Sequence, residues 1–381
     1  MMLLEHDAKV LLAEAGLPIP PGRLLTSLQP GPVAPLRLPL VVKAQVPVGG
    51  RGKAGGIARV ETDAELAAAL RRLLGTTVRG HPVRGCRIEE IADGTECYLS
   101  FLLDPTRGRL KVLIAAEGGM DIESASYRES VLSADVEFTV EAAVRAAVRL
   151  AEPLPSPARE ALGDAVARLA PVFFALEATL LEVNPLFVRR DGSWAAGDVK
   201  LAVDENAFVR QPRLSDLIRS RADAYPEASL KLSSGFDFVM LDPDGDIGLV
   251  TTGAGLSMQL VDELIGRGHR PYNFCDIRTG QFRGDPARLI QVLQWIAAGP
   301  SVRSVLMNFF AGITHLGELA HVLVAAIKAV PQLRAPVTAR LIGNGYDEAT
   351  AILAAAGNPL RVETDLERAI TAAVAPLGRI A

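Results

Sequence analysis

From about residue 225 onward, apolar runs of strand length alternate with helical patterns, and this rhythm constrains the fold more than any other feature of the chain. The pattern predicts strands over 237–241, 247–251, 302–309, 337–342 and 360–362. Between and after them it predicts helices over 256–268, 286–298, 316–330, 348–356 and 366–374. Such alternation favours a parallel sheet covered on both faces, with ligands at the carboxyl ends of its strands. With 381 residues, the chain is also too long for one ordinary core. Two domains are therefore expected, 1–222 and a doubly wound 223–381, with the polar stretch 210–227 as an irregular boundary.

The first domain reads differently. A short helix is expected over 5–15, stopped by Gly16 and the prolines at 18, 20 and 21, and a stiff proline-rich connector over 29–39. Next comes V-V-K-A-Q-V-P-V-G-G-R-G-K-A-G-G at 41–56, a strand that runs through Lys43 into a glycine-dense basic loop. Successive N–H groups in such a loop make a concave anion site, to which Arg51 and Lys53 add charge. It is neither a Walker A loop nor a dinucleotide fingerprint, because the lysine lacks its Ser/Thr neighbour and no helix pattern follows. On composition alone it reads equally as a flexible basic hairpin. Thr62 and Glu65 form a capping box for a helix to about residue 74. Strands are expected over 86–91, 96–103 and 109–116, then helices over 140–150 and 157–175. A strand over 179–188 and a hairpin turn at 190–193 lead to a strand ending in D-V-K at 198–200.

Composition excludes several classes. A formal charge of −4 provides no basic excess for a nucleic-acid backbone. Cys86, Cys97 and Cys275 have neither disulfide-framework nor C-x-x-C spacing, and Cys97 and Cys275 have the apolar neighbours of buried thiols. No basic leader or bilayer-length apolar run is seen, so a cytoplasmic protein with no membrane partner is expected.

Within the first domain, Lys43 and the loop suit phosphates, and Glu89 and Glu96 flank a strand-to-strand bend where a carboxylate accepts from a ribose or an adenine amine. Asn184 and Asp198 are oxygen donors on neighbouring strands, the hard ligands that Mg²⁺ prefers. Taken singly, the two glutamates read as solvated strand ends and Asn184 as a turn former before Pro185. Their joint occurrence favours a metal–nucleotide floor.

These motifs also carry a family resemblance. Beside V-V-K-A-Q and G-G-R-G-K-A-G-G stand E-G-G-M-D-I-E at 117–123, E-V-N-P-L at 182–186 and N-A-F-V-R-Q-P at 206–212. G-A-G-L at 253–256 and N-F-F-A-G-I at 308–313 follow in the second half. In this order the chain resembles the β subunits of succinyl-CoA synthetase (succinate–CoA ligase) over almost its whole length. The resemblance implies an ATP-grasp domain of two α+β subdomains followed by a flavodoxin-like CoA-ligase domain. It implies that Lys43, Gly50, Arg51 and Gly52 contact ATP (or GTP) phosphates, that Glu89 and Glu96 hold ribose and base, and that Asn184 and Asp198 bind Mg²⁺. Glu182 would steady a phosphohistidine delivered by a partner α subunit, which would also bind most of the CoA. None of the five histidines here has the context of that phosphohistidine loop. Thr252, Gly312, Ile313 and Thr314 occupy the positions of the carboxylic acid substrate site.

Three departures bear on the acid. Thr252 replaces the family's asparagine, Pro47 stands where histidine is common, and N-F-C-D-I-R-T-G-Q-F-R-G-D at 273–285 replaces a glycine-rich loop, bringing in Arg278 and Arg283. The arginines suit a more negative or longer acid, and equally suit solvent or an α-subunit contact. Succinate is the acid that the resemblance favours, with malate, citrate or another dicarboxylate as alternatives. A non-catalytic nucleotide-binding homologue, or a free-standing carboxylate–amine ligase, is the further alternative.

Overall fold

The computed structural model describes residues 1–28, 36–119, 130–278, 284–312, 314–357 and 360–378. The connector at 29–39, the run at 117–123, Arg283 and Ile313 thus lie wholly or partly outside the described residues. The chain divides into two compact units, 1–217 and 218–381.

The first unit opens with α1 (Glu5–Glu14) and holds two antiparallel sheets. In the smaller, β1 (Gly22–Leu25), β6 (Cys86–Glu90), β2 (Leu40–Ala44) and β3 (Ile57–Val60) are neighbours in that order. Period-2 alternation gives this sheet two chemically distinct faces. Val42, Ala44, Cys86 and Ile88 turn into an apolar cluster against α2 (Asp63–Leu73). Lys43, Arg87 and Glu89 take the opposite face, with Lys43 directly across from Arg87. The Thr62 hydroxyl caps α2 by accepting the Glu65 N–H at 3.2 Å, while the Glu65 carboxylate takes the Glu61 N–H at 2.7 Å, one residue before the expected return bond. After α2, β4 (Thr77–Val78) and β5 (His81–Pro82) form a hairpin that the sequence pattern does not reveal.

The larger sheet runs β11 (Trp194–Ala196), β10 (Ala178–Val188), β7 (Thr95–Asp104), β8 (Arg109–Ala115) and β9 (Leu132–Glu137), with β12 (Val199–Val203) also on β10. Helices α3 (Val140–Ala151) and α4 (Ala158–Ala175) cover one face. Alanines at 142, 143, 146, 147 and 151 make that face of α3 small enough for close approach. The expected single strand through 198–200 is instead two, β11 and β12, broken at Gly197 and Asp198. The cause lies across the ladder. Gly197 N–H donates to Pro185 O at 2.9 Å, but Pro185 has no N–H to return. The Gly197 carbonyl is released from the sheet.

The stretch expected to be irregular at 210–227 contains α5 (Pro212–Ser220) and the start of α6 (Pro226–Ser234); proline at each first position presets helical φ. The second unit is a six-stranded sheet in the order β13 (Asp237–Met240), β15 (Asn273–Asp276), β14 (Ile247–Thr251), β16 (Ser304–Ala311), β17 (Val337–Gly343) and β18 (Arg361–Glu363). It is parallel except for β13 at the edge. Helices α7 (Ala254–Gly266), α8 (Ala287–Ala297), α9 (Leu316–Ala329), α10 (Tyr346–Ala355) and α11 (Leu366–Val374) bury separate apolar clusters on its two faces. The short β15 was not expected, since four residues before a polar loop carry little periodic signal.

All three cysteines are buried, and burial pushes the Cys86 and Cys97 thiols up to about 11. Among the described residues, no helix is long and apolar enough to cross a membrane. Phe309 on β16 is fully buried in the larger cluster of the second unit. Phe309→Ala is expected to cost that unit about 3–5 kcal/mol, read as a lower urea midpoint for its unfolding, with the first unit's transition unmoved.

Candidate functional site

A cavity of about 1140 Å³ opens in the first unit, lined by residues from both of its sheets and from the glycine loop. The loop is folded on itself: Gly56 N–H reaches Arg51 O at 2.8 Å, and Ala44 N–H reaches Gly56 O at 2.8 Å. Gly50 and Gly55 sit at φ of +69° and +73°, backbone that a side chain would strain. Among the described residues, no acceptor takes the N–H of Gly50, Arg51 or Gly52.

Beneath the loop lies a largely buried lattice of ion pairs. Lys43 Nζ donates to Glu5 Oε1 at 2.9 Å and to Gly197 O at 2.6 Å, and pairs with Glu89 Oε1 at 2.6 Å. Lys9, fully buried, bonds both Glu89 oxygens at 2.8 and 2.9 Å and the same Gly197 carbonyl at 2.7 Å, and pairs with Glu5 at 2.8 Å. Arg51 donates to Ala44 O at 3.1 Å and Asp198 Oδ1 at 2.7 Å. Its Nη2 also lies 2.7 Å from Glu5 Oε2, off the direction of a hydrogen bond. Arg87 holds Glu89 Oε2 at 2.6 Å. Linked in this way are four cations (Lys9, Lys43, Arg51, Arg87) and three carboxylates (Glu5, Glu89, Asp198), one positive charge in excess.

The titration of these groups follows from their neighbours. Burial by itself raises the Glu5 carboxyl, but Lys43, Lys9 and Arg51 together outweigh it and hold the group well below its usual range. Glu89 is likewise lowered, burial being overcome chiefly by Lys9 and Lys43. Burial lowers Lys9, and Glu5 and Glu89 offset this only in part. Lys43 is raised because Glu5, Glu89 and Asp198 outweigh burial. Asp198 is raised, by burial first and then by the Glu5 charge.

Lys43 and Asp198 are thus brought together, bridged by Glu5, Arg51 and the Gly197 carbonyl. Glu89 and Glu96 both line the cavity, but Glu89 is bound to three cations, whereas Glu96 Oε2 lies 3.0 Å from where a Cβ on Gly119 would stand. Glu182 and Asn184, two apart on β10, share the cavity face, while Leu181 and Val183 are fully buried on the other. Glu182 pairs with Lys200, its cross-strand partner, and accepts from Tyr98 OH at 3.2 Å. Asn184 accepts the Gly119 N–H through Oδ1 at 2.8 Å, and its own N–H reaches Asp198 O at 3.0 Å.

Two amide or carboxylate side chains therefore stand side by side at the cavity floor. Among the described residues, no group of three or more His, Cys, Asp or Glu side chains is placed to hold a metal. Asn184 and Asp198 are already engaged, the Asn184 amide with the Gly119 N–H and O, and Asp198 Oδ1 with Arg51 and the Val199 N–H. Two such oxygen donors would suit an Mg²⁺ that keeps waters and phosphate oxygens rather than an all-protein cage.

Sequence reasoning missed Glu5, Lys9, Arg87, Tyr98, Lys200 and Gly197. The signal for two of them was present: Glu5 and Lys9 are spaced i, i+4, on the same helical face as the buried Leu12.

In the second unit, Thr252 follows β14; its hydroxyl accepts the Phe310 N–H at 2.9 Å, and its own N–H reaches Asn308 O at 3.2 Å. Gly253, at φ +88°, starts α7 and donates to Asp276 Oδ1 at 2.8 Å. Gly312 is exposed and Thr314 half-buried at the end of β16. Arg278 is paired with Asp237 at 3.3 Å.

The lowered carboxyls give a stability signature. A lowered group contributes fully above its ordinary value, 4.5 here, and its share is lost as pH falls through the lowered folded value. The raised Asp198 has the opposite sign: its contribution is complete below its ordinary value and is lost as pH rises through the folded one. Glu5→Gln should therefore cost about 3–5 kcal/mol at pH 7, because it leaves buried cations short of a partner. Its deficit against wild type should shrink as pH drops below 4.5. Unfolding followed by circular dichroism from pH 7 to pH 3 tests this, and a deficit independent of pH would sink it.

The comparisons with known proteins agree with this architecture. A family model described as an ATP-grasp domain matches residues 2–188, and one described as CoA-ligase matches 250–374. The chain is 37% identical over 372 residues to the β subunit of succinate–CoA ligase [ADP-forming] of Rubrobacter xylanophilus, covering 96% of this chain and 95% of that one. The corresponding subunits of Chloroflexus aurantiacus and Halobacterium salinarum are 34% and 35% identical, over 93% and 98% of both chains. The fold is shared with ATP citrate lyase of Methanothrix soehngenii, solved with citrate and coenzyme A, at a TM-score of 0.71 and 17% identity over 98% of this chain and 99% of that one. Matched in both halves and along nearly its whole length, the chain belongs to the succinate–CoA ligase β-subunit family of ATP-grasp acid–CoA ligases.

Proposed function

We propose that this chain, with an ATP-grasp domain at 1–222 and a CoA-ligase domain at 223–381, binds magnesium with ATP or GTP and part of a small dicarboxylate, succinate in the first instance. It charges a histidine of a partner α-type subunit that also binds CoA. The observation that carries this reading is the convergence of the glycine loop, Lys43, Glu182, Asn184 and Asp198 on one cavity.

The roles follow from the chemistry of each group. The free N–H groups of Gly50, Arg51 and Gly52 cradle phosphate oxygens. Lys43 reaches a phosphate by releasing one partner, and the Gly197 carbonyl, as the uncharged one, costs least to displace. Arg51 keeps Asp198 in place while lending its charge to the phosphates. Asn184 and Asp198 hold the metal, which when bound neutralises phosphate charge. Glu96 and Glu89 stand on the ribose and base side, Glu89 mainly as the anchor of Lys43.

Phosphoryl transfer depends chiefly on positioning and charge neutralisation. The imidazole nitrogen of the incoming histidine bonds phosphorus as the bond to the departing nucleoside diphosphate oxygen breaks. Glu182 accepts the imidazole's other N–H, fixing the tautomer and favouring the developing cation. The succinate carboxylate is held beside Gly312 and Thr314 and at the start of α7, where the helix's first backbone N–H groups favour an anion, with the Thr252 hydroxyl proton available to it.

Asn184→Ala and Asp198→Ala should each reduce transfer of labelled γ-phosphate to the partner's histidine by at least ~100-fold while the circular dichroism spectrum is retained. Transfer at the wild-type rate in either variant would remove the metal assignment.

A further inference from the structure

The hairpin between β4 and β5 turns through two residues only, Arg79 and Gly80, both with positive φ, +50° and +83°. This is the two-residue turn that matches strand twist and that selects Asn-Gly, Asp-Gly or Gly-Gly. An arginine at its first position is strained, since its Cβ crowds the backbone in the left-handed region. Strain of this kind persists where the residue serves something other than the turn. No turn chemistry favours an arginine at this point.

Its side chain shows what is served. Arg79 Nη1 donates to Gly49 O at 2.8 Å and stands 2.6 Å from where a Cβ on Gly50 would be, so the guanidinium lies directly against the glycine loop. Arg79 lines the same cavity as Lys43, Arg51 and Asp198. Unlike Lys43 and Arg51, it is exposed and has no carboxylate partner among the described residues. Its Nε and Nη2 groups meet no acceptor among those residues. A planar donor pair of this kind recognises a phosphate bidentately.

We propose that Arg79 is a further phosphate-binding residue of the nucleotide site, reaching over the glycine loop from the β4–β5 hairpin. The inference rests on the nucleotide reading above. It assigns to Arg79 the part that the ion-paired Lys43 and Arg51 play least easily, a cation whose charge no carboxylate among the described residues already shares.

The test uses the full chain and Arg79→Asn, which places the residue pair that this turn prefers. Calorimetry with Mg-ADP should show the dissociation constant raised about tenfold, a change of ~1.4 kcal/mol. Adenosine, measured by displacement, should bind as to wild type, and Tm should be unchanged or higher. Arg79→Lys, which keeps charge but loses the fork, should fall between. Equal weakening of adenosine and Mg-ADP, or unchanged Mg-ADP affinity in both variants, would overturn the proposal. Absence of Mg-ADP binding in the wild-type chain itself would remove the nucleotide reading, and the proposal with it.

Discussion

The first unit depends on one buried carbonyl oxygen meeting two buried ammonium groups. Gly197 O accepts from Lys9 and Lys43, and those lysines hold Glu5 and Glu89 in turn. Buried charges are costly unless each is paired and hydrogen-bonded. Here Lys43 is paired with both Glu5 and Glu89 and donates to Gly197 O, and the lattice ties α1, β2, β6 and the break between β11 and β12 to one geometry. The break itself comes from Pro185, which has no N–H to give. A side chain could not replace the glycine either: a Cβ at 197 would stand 2.3 Å from the Phe187 ring.

The second unit meets the demand for polar order in another way. At the heart of its sheet the Asn273 amide bonds both the N–H and the C=O of Leu249, at 3.0 and 2.8 Å, taking the part of a ladder partner. Thr252 likewise joins the end of β14 to the C-terminal half of β16, through Phe310 N–H and Asn308 O within that strand. No net charge is buried in these links. In these links neutral amides and hydroxyls position the strands, whereas the first unit uses full charges held close to its cavity.

Much of this was legible one segment at a time. Apart from β15, the strands of the second unit fall within a few residues of their expected places, and the fully buried parallel ones do so because they leave continuous apolar runs. The capping box marked the start of α2, Lys43 stood out where a strand meets the glycine loop, and Asn184 and Asp198 stood out as oxygen donors on neighbouring strands. What was not legible has a common cause. Lys9 meets Glu89 across 80 positions, Arg51 meets Asp198 across 147, and Lys43 meets Gly197 across 154. Such separations leave no periodic trace. The helices at 212–220 and 226–234 escaped because their polar composition resembles a linker, although the prolines that open them are helix-start signals.

Alone, the order of residues determined that there would be two halves, that the second would be doubly wound, and that the loop at 49–56 would present backbone N–H groups beside basic side chains. Those are consequences of local period and local steric freedom. Only the tertiary structure decided which charges the loop's cations would meet, that α1 would supply Glu5 and Lys9, and that Arg79 would stand over the loop without a carboxylate partner among the described residues. Electrostatic partnership is set by distance in space, and space is settled only when the sheets and α1 have closed on one another.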